Sequence, residues 1–176
     1  MRELSQIADG IDRINGVAGR LVMGLALAMA LAQGAVVLLR YVFAIGFIPL
    51  QESIWFMNGI LFLVGAGFTL ARDRHVRVDL FYRGATERQK ALVDLAGALV
   101  LLLPFCVLTF VLAVPYVATS WAVLERSREV AGLPGIFLLK SIILVFAVLL
   151  GLQAIALAIR TVLRIRESDG EGHGNP

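Results

Sequence analysis

Four long stretches of this chain carry no charge, and that absence decides more than any motif does. No Asp, Glu, Lys, Arg or His falls within residues 21–39, 53–71, 95–124 or 141–159. Proton relays, ion-coupled pumps and intramembrane haem sites need ionisable or ligating groups at depth, so the pattern speaks against a self-sufficient transporter. There is one cysteine, Cys106, inside the third run; it forms no intrachain disulfide and is expected to pack as a small hydrophobe. His75 has no histidine or cysteine partner at ligand spacing, and His173 lies in a polar tail, so neither a metal nor a cofactor is expected. A glycine-rich phosphate loop, a nucleophile elbow and a paired-histidine helix are all missing, which argues against an enzyme. Charge is scarce throughout, at 16% of residues against 59% hydrophobic. A soluble domain has about 25% and about 45–50% respectively, so the composition is that of an integral membrane protein.

What is present fits that class. A hydrocarbon core about 30 Å thick takes about 20 helical residues at about 1.5 Å each. The fold class is therefore all-α with four transmembrane helices, placed at 21–39, 53–71, 95–118 and 138–159 within one domain, 21–160. Pro49 is placed to open the second helix, with Glu52 in its first turn and Trp55 and Phe56 at headgroup depth. After Ala71 the sequence Arg72-Asp73-Arg74-His75-Val76-Arg77-Val78-Asp79 must leave the lipid. Thr86-Glu87-Arg88-Gln89 fits a capping box, starting a helix near Glu87. The run from 95 to 124 exceeds the bilayer core by about half and must tilt, kink or protrude, with Pro104 and Pro115 as causes of kinks and Tyr116 and Trp121 near the outer interface. Lys140 precedes the last run and can snorkel outward.

The basic residues set the topology. Arg2, Arg13 and Arg20, then Arg72, Arg74, Arg77, Arg83, Arg88 and Lys90, then Arg160, Arg164 and Arg166 share one side, whereas Arg40, Arg126, Arg128 and Lys140 share the other. The positive-inside rule puts both termini in the cytoplasm. This also accounts for a pI near 9.5 without nucleic acid, because the basic residues sit in short loops with no aromatic-studded patch. In residues 1–20, Leu4, Ile7, Ile11, Ile14 and Ala18 recur at steps of three and four, which predicts an amphipathic helix lying either on the membrane surface or on a partner. A cleaved leader ending near Ala30 is disfavoured by Glu3, Asp9 and Asp12 and by an apolar run that continues past it. Residues 161–176 read as a flexible cytoplasmic tail.

Small residues mark where helices can approach closely: Ala26, Ala30 and Gly34 at i+4 spacing, Gly65 and Gly67 in the second run, and Ala147 with Gly151 in the fourth. Gln33 is expected to make an interhelical hydrogen bond. A chain rich in such stripes and poor in buried ionisable groups is built to pack.

Glu52, Trp55, the run Gly65-Ala66-Gly67-Phe68-Thr69-Leu70 and the following His75-Val76-Arg77-Val78-Asp79 carry a resemblance, together with Arg40-Tyr41-Val42-Phe43 and Leu133-Pro134-Gly135. Over roughly 21–160 the chain resembles the small membrane subunit, DctQ-type, of tripartite ATP-independent periplasmic (TRAP) transporters. The resemblance implies a multi-pass protein of a bacterial inner membrane that braces a large multi-pass subunit, while a periplasmic solute-binding protein delivers an organic acid for ion-driven symport. It also implies contacts with membrane lipids and no catalytic role. Interface residues expected on that basis are Glu52, Trp55 and Arg128 on the outer face, and Arg72, His75, Arg77 and Asp79 on the inner. Two other classes stand beside it: a homodimeric four-helix exporter, which calls for a membrane-embedded carboxylate, and an enzyme pairing His75 with Asp73 or Asp79.

Overall fold

A computed structural model of the chain describes residues 2–72, 84 and 86–171. Among the described residues there is helix and connecting turn and no strand. The helices are α1 (Arg2–Val42), α2 (Ile48–Ala71), α3 (Glu87–Ala96), α4 (Leu103–Ala122) and α5 (Ile136–Glu171), with a π-helical segment, Gly97–Leu102, joining α3 to α4. Four stretches are long and apolar enough to cross a membrane: Glu3–Val42, Ile48–Ala71, Arg88–Ala122 and Ile136–Arg166.

Local chemistry explains several helix boundaries. Pro49 lies in the first two positions of α2, where its missing N–H costs nothing. Glu52 is not in that first turn, because α2 starts at Ile48 and carries no acidic residue there. Thr86 caps α3 through the complete box: its hydroxyl accepts from the Gln89 N–H at 3.3 Å, and the Gln89 side chain accepts from the Thr86 N–H at 3.0 Å. Pro104 cannot return a hydrogen bond to Val100, and the helix widens just ahead of it, with the Leu103 N–H reaching back to the Ala98 carbonyl. The expected disturbance at Pro104 is therefore a wide turn. Pro115 is accommodated inside α4, where its carbonyl takes the Thr119 hydroxyl at 2.9 Å.

Two expected breaks are not there. The pattern in residues 1–20 predicts a helix of their own, yet α1 runs unbroken from Arg2 through Arg20 into the apolar stretch, since nothing at the junction ends a helix. The tail expected to be flexible from 161 is helical to Glu171, and Thr161 is buried.

The helices pack around α5. It meets α1, α2, α3, the π segment and α4, whereas neither α1 nor α2 touches α4. One third of the most apolar part of α5 is buried within the protein, against 6% for α1, 11% for α2 and 17% for the α3–α4 unit. Small side chains permit this. Ala147, Ala154 and Ala158 on α5 are buried, and a Cβ on Gly151 would rest 3.4 Å from the Cβ of Cys106, which is itself buried. The start of α1 lies beside the end of α5, so the two terminal helix ends share one end of the molecule; the α4–α5 loop lies at the other.

Candidate functional site

Polar side chains gather at the two ends. At the terminal end, Asn15 is fully buried between α1 and α5, and its Nδ2 donates to Gln153 Oε1 at 2.8 Å and to the Leu149 carbonyl at 3.3 Å. Gln153 Nε2 passes the chain on to Asp12 Oδ1 at 2.7 Å. The Arg160 guanidinium donates to Asp9 Oδ1 at 2.8 Å and also pairs with Asp12 Oδ2. One cation thus answers two carboxylates, and two amides extend the network inward. The ladder reaches into the 141–159 run through Gln153, so the absence of charge from that run does not keep Asp12 away from it.

Two glycines let this ladder close. A Cβ on Gly67 would collide with Asn15 Oδ1 and lie 3.3 Å from the Leu149 carbonyl, and a Cβ on Gly19 would collide with the Phe68 ring. Neither could exist without moving a helix. Asn15 Oδ1 has no hydrogen-bond partner among the described residues, so this amide is held by its nitrogen alone. Sequence reading missed Asn15, Asp12, Gln153, Arg160 and Gly19. Gln153, the one strongly polar residue in the last run, was the signal available.

The other end is built on the loop between α4 and α5. Helix α4 closes with a Schellman arrangement: the Glu125 N–H donates to Ser120 O at 3.0 Å and the Leu124 N–H to Trp121 O at 3.1 Å, with Leu124 at φ 45°. The Lys140 ammonium and the Ser120 hydroxyl donate to the Glu125 carboxylate at 2.5 and 2.6 Å, and the Lys140 hydrogen bond, with help from Ser120, holds that carboxyl below its ordinary range. Lys140 also sits 4.1 Å over the Tyr116 ring. Its ammonium is thus tied to the loop rather than left to snorkel alone. Trp121 donates its indole N–H to Ser141 at 2.8 Å and meets Phe137 edge-on at 4.7 Å.

Glu52 reaches this loop from α2. Its carboxylate accepts from the Ser127 hydroxyl and from the Leu133 N–H, the latter at 2.5 Å. The loop folds around it: the Ser127 N–H donates to Leu133 O at 3.3 Å, the Gly132 N–H to Glu129 O at 3.0 Å and the Glu129 N–H to Ser127 Oγ at 3.1 Å. A Cβ on Gly132 would collide with Ser127 and fall 2.7 Å from Glu52 Oε2, so only glycine fits there.

The expected interface residues are distributed unevenly. Glu52 is engaged within the chain, while Trp55 is 75% exposed and Arg128 is exposed on the loop. Arg72 ends α2 with its guanidinium 4.9 Å over the Phe68 ring. His75, Arg77 and Asp79 lie outside the described residues. Of the packing residues, Gly67, Ala147 and Gly151 sit at internal contacts, whereas Ala26, Ala30 and Gly34 are exposed, and a Cβ added to Gly65 would meet nothing within 4 Å. Gln33 is exposed and, among the described residues, makes no interhelical hydrogen bond. On the first segment the buried positions are Ala8, Ile11, Asn15 and Gly19, a face rotated from the expected Leu4, Ile7, Ile11, Ile14, Ala18 stripe and sharing only Ile11 with it. Asn15 is the cause: its two hydrogen bonds turn that face toward α5.

Four apolar helices of crossing length, with polar side chains gathered into two end clusters, define a multi-pass membrane protein. Residues 29–164 match the family model of the tripartite ATP-independent periplasmic transporters, DctQ component, and the chain belongs to that family. It is a transporter component. Comparison with curated proteins and with solved structures gives no match.

Proposed function

We infer that this chain is the fixed brace of an ion-driven importer of an organic acid in a bacterial inner membrane. A large multi-pass subunit carries the substrate and the coupling ion, and a periplasmic binding protein delivers the substrate. The observation that carries this reading is the unequal burial of the four crossing helices: a third of the apolar window of α5 is enclosed but only 6% of that of α1, and most of α1 and α4 is exposed while α2 is largely half-buried. Exposed Ala26, Ala30 and Gly34 offer α1 a surface on which another helix can lie closely. Both polar clusters are answered largely from within the chain, which suits a static part and not one that must release a solute.

In this reading the terminal end is cytoplasmic and the α4–α5 loop is periplasmic, following the bias of basic residues. Trp55 and Arg128 contact partners outside; Arg72, His75, Arg77 and Asp79 pin the inner loop to the large subunit or to lipid headgroups. Coexpression with the large subunit and gentle solubilisation tests it. The two should co-purify, and deletion of this chain should abolish uptake. Recovery of this chain by itself, with uptake undiminished by its deletion, overturns the reading.

A further inference from the structure

We propose that the groove between α1 and α2 near the terminal end binds one anionic phospholipid, with an acyl chain lying in the groove and the phosphate on Arg20 and Arg72. This deepens the reading above, in which Arg72 meets a partner or a headgroup at the inner face. A space of about 540 Å³ opens beside Gly19 and Met23 of α1 and Leu61, Gly65 and Phe68 of α2. The side of Gly65 meets no atom within 4 Å, whereas Gly19 lies hard against the Phe68 ring and closes the groove there. Thr69 is the only polar side chain on its wall, and its hydroxyl already donates to the Gly65 carbonyl at 2.9 Å. The groove therefore asks for hydrocarbon and nothing else. From Leu61 to Phe68 it runs about 10 Å along α2, within the inner half of the uncharged run, and so fits inside one leaflet of about 15 Å. Left empty in a bilayer, it would forfeit dispersion contacts along its whole length.

Charge at the mouth names the headgroup. Arg72 ends α2 with its guanidinium 4.9 Å over the ring of Phe68, a wall residue, which puts a cation directly above the groove. Arg20 follows Gly19 on α1, is exposed, and commits only its Nε, to the Gly16 carbonyl at 3.2 Å. Neither makes an ion pair among the described residues, and the two carboxylates nearest Arg20 along α1, Asp12 and Asp9, are already paired with Arg160. Two guanidiniums present the forked donors that a phosphate accepts. Free phosphate would answer the arginines and leave the groove empty; a helix from a partner would fill the groove and leave the arginines unanswered. A phospholipid does both.

The test is native mass spectrometry of this chain with its large subunit, released from bilayers of equal phosphatidylglycerol and phosphatidylcholine. One phosphatidylglycerol should stay on the native complex. Gly65→Leu should displace it by filling the groove, and Arg20→Gln and Arg72→Gln should each cut the preference for phosphatidylglycerol about fivefold. Both arginines are exposed, so these two variants decide the question even where Gly65→Leu fails to assemble. Equal retention by native and Gly65→Leu complexes, or a preference untouched by the loss of both arginines, overturns the proposal and leaves the brace intact. A native complex free of the lipid, in which Met23→Cys cross-links to the large subunit, overturns it in favour of a partner helix. This chain recovered without the large subunit, yet still carrying the lipid, overturns the brace and upholds the groove.

Discussion

At Gly67 the difference between a hydrogen and a methyl group decides whether α1, α2 and α5 can meet. Gly67→Ala should destabilise the protein by about 1–3 kcal/mol, the usual cost of overpacking, because the new Cβ would press on Asn15 and on an immovable carbonyl. Gly65→Ala, two residues away, meets nothing and should leave the apparent Tm in detergent unchanged. Equal shifts for the two variants would refute the packing argument. Leu124 offers the opposite case: a β-carbon in the left-handed region costs about 1–2 kcal/mol, so Leu124→Gly should raise the apparent Tm. The glycine pair Gly65 and Gly67 was legible as a site of close approach, but which of the two is occupied depends on rotation of α2 about its axis. That rotation sets Gly67 against Asn15 and the Leu149 carbonyl, contacts that no periodicity of apolar residues could announce.

Elements were easier to foresee than the contacts between them. The four apolar runs, the cap at Thr86 and the start at Pro49 follow from local chemistry, so they were visible in the sequence. The burial of the start of α1 against α5 and the destination of Glu52 depend on contacts between residues up to 151 apart, as with Asp9 and Arg160, and were not. The α4–α5 connection also makes a pH prediction. Glu125 is held below its unfolded value by Lys140, so its contribution is fully present above the ordinary carboxylate range and is lost as pH falls through the folded value. Protection of the 123–135 amides, taken relative to their intrinsic exchange rate at each pH, should therefore fall on acidification, and Glu125→Gln should remove most of that dependence. An unchanged acid response in the variant would assign it to another group.

For the molecule as a whole, the ladder from Asn15 to Asp9 fixes where the two terminal helix ends lie relative to each other. Cysteines introduced for Asp9 and Arg160 should cross-link in membranes with a short bifunctional reagent, and reporters fused at both termini should give the same, cytoplasmic, sidedness. Opposite sidedness would reverse the assignment of the loop end to the periplasm. The π-helical segment has a consequence at this scale too. A wide turn holds one more residue than the ordinary spiral, so deleting a single residue from Gly97–Leu102 would tighten the spiral without shortening it by a full turn. Because the deleted residue is the one that the wide turn holds in excess, Glu87 to Ala96 would keep nearly the same bearing around the axis and present the same side to the end of α5. The insertion works as slack taken up within one turn, leaving the two parts of this rod in step.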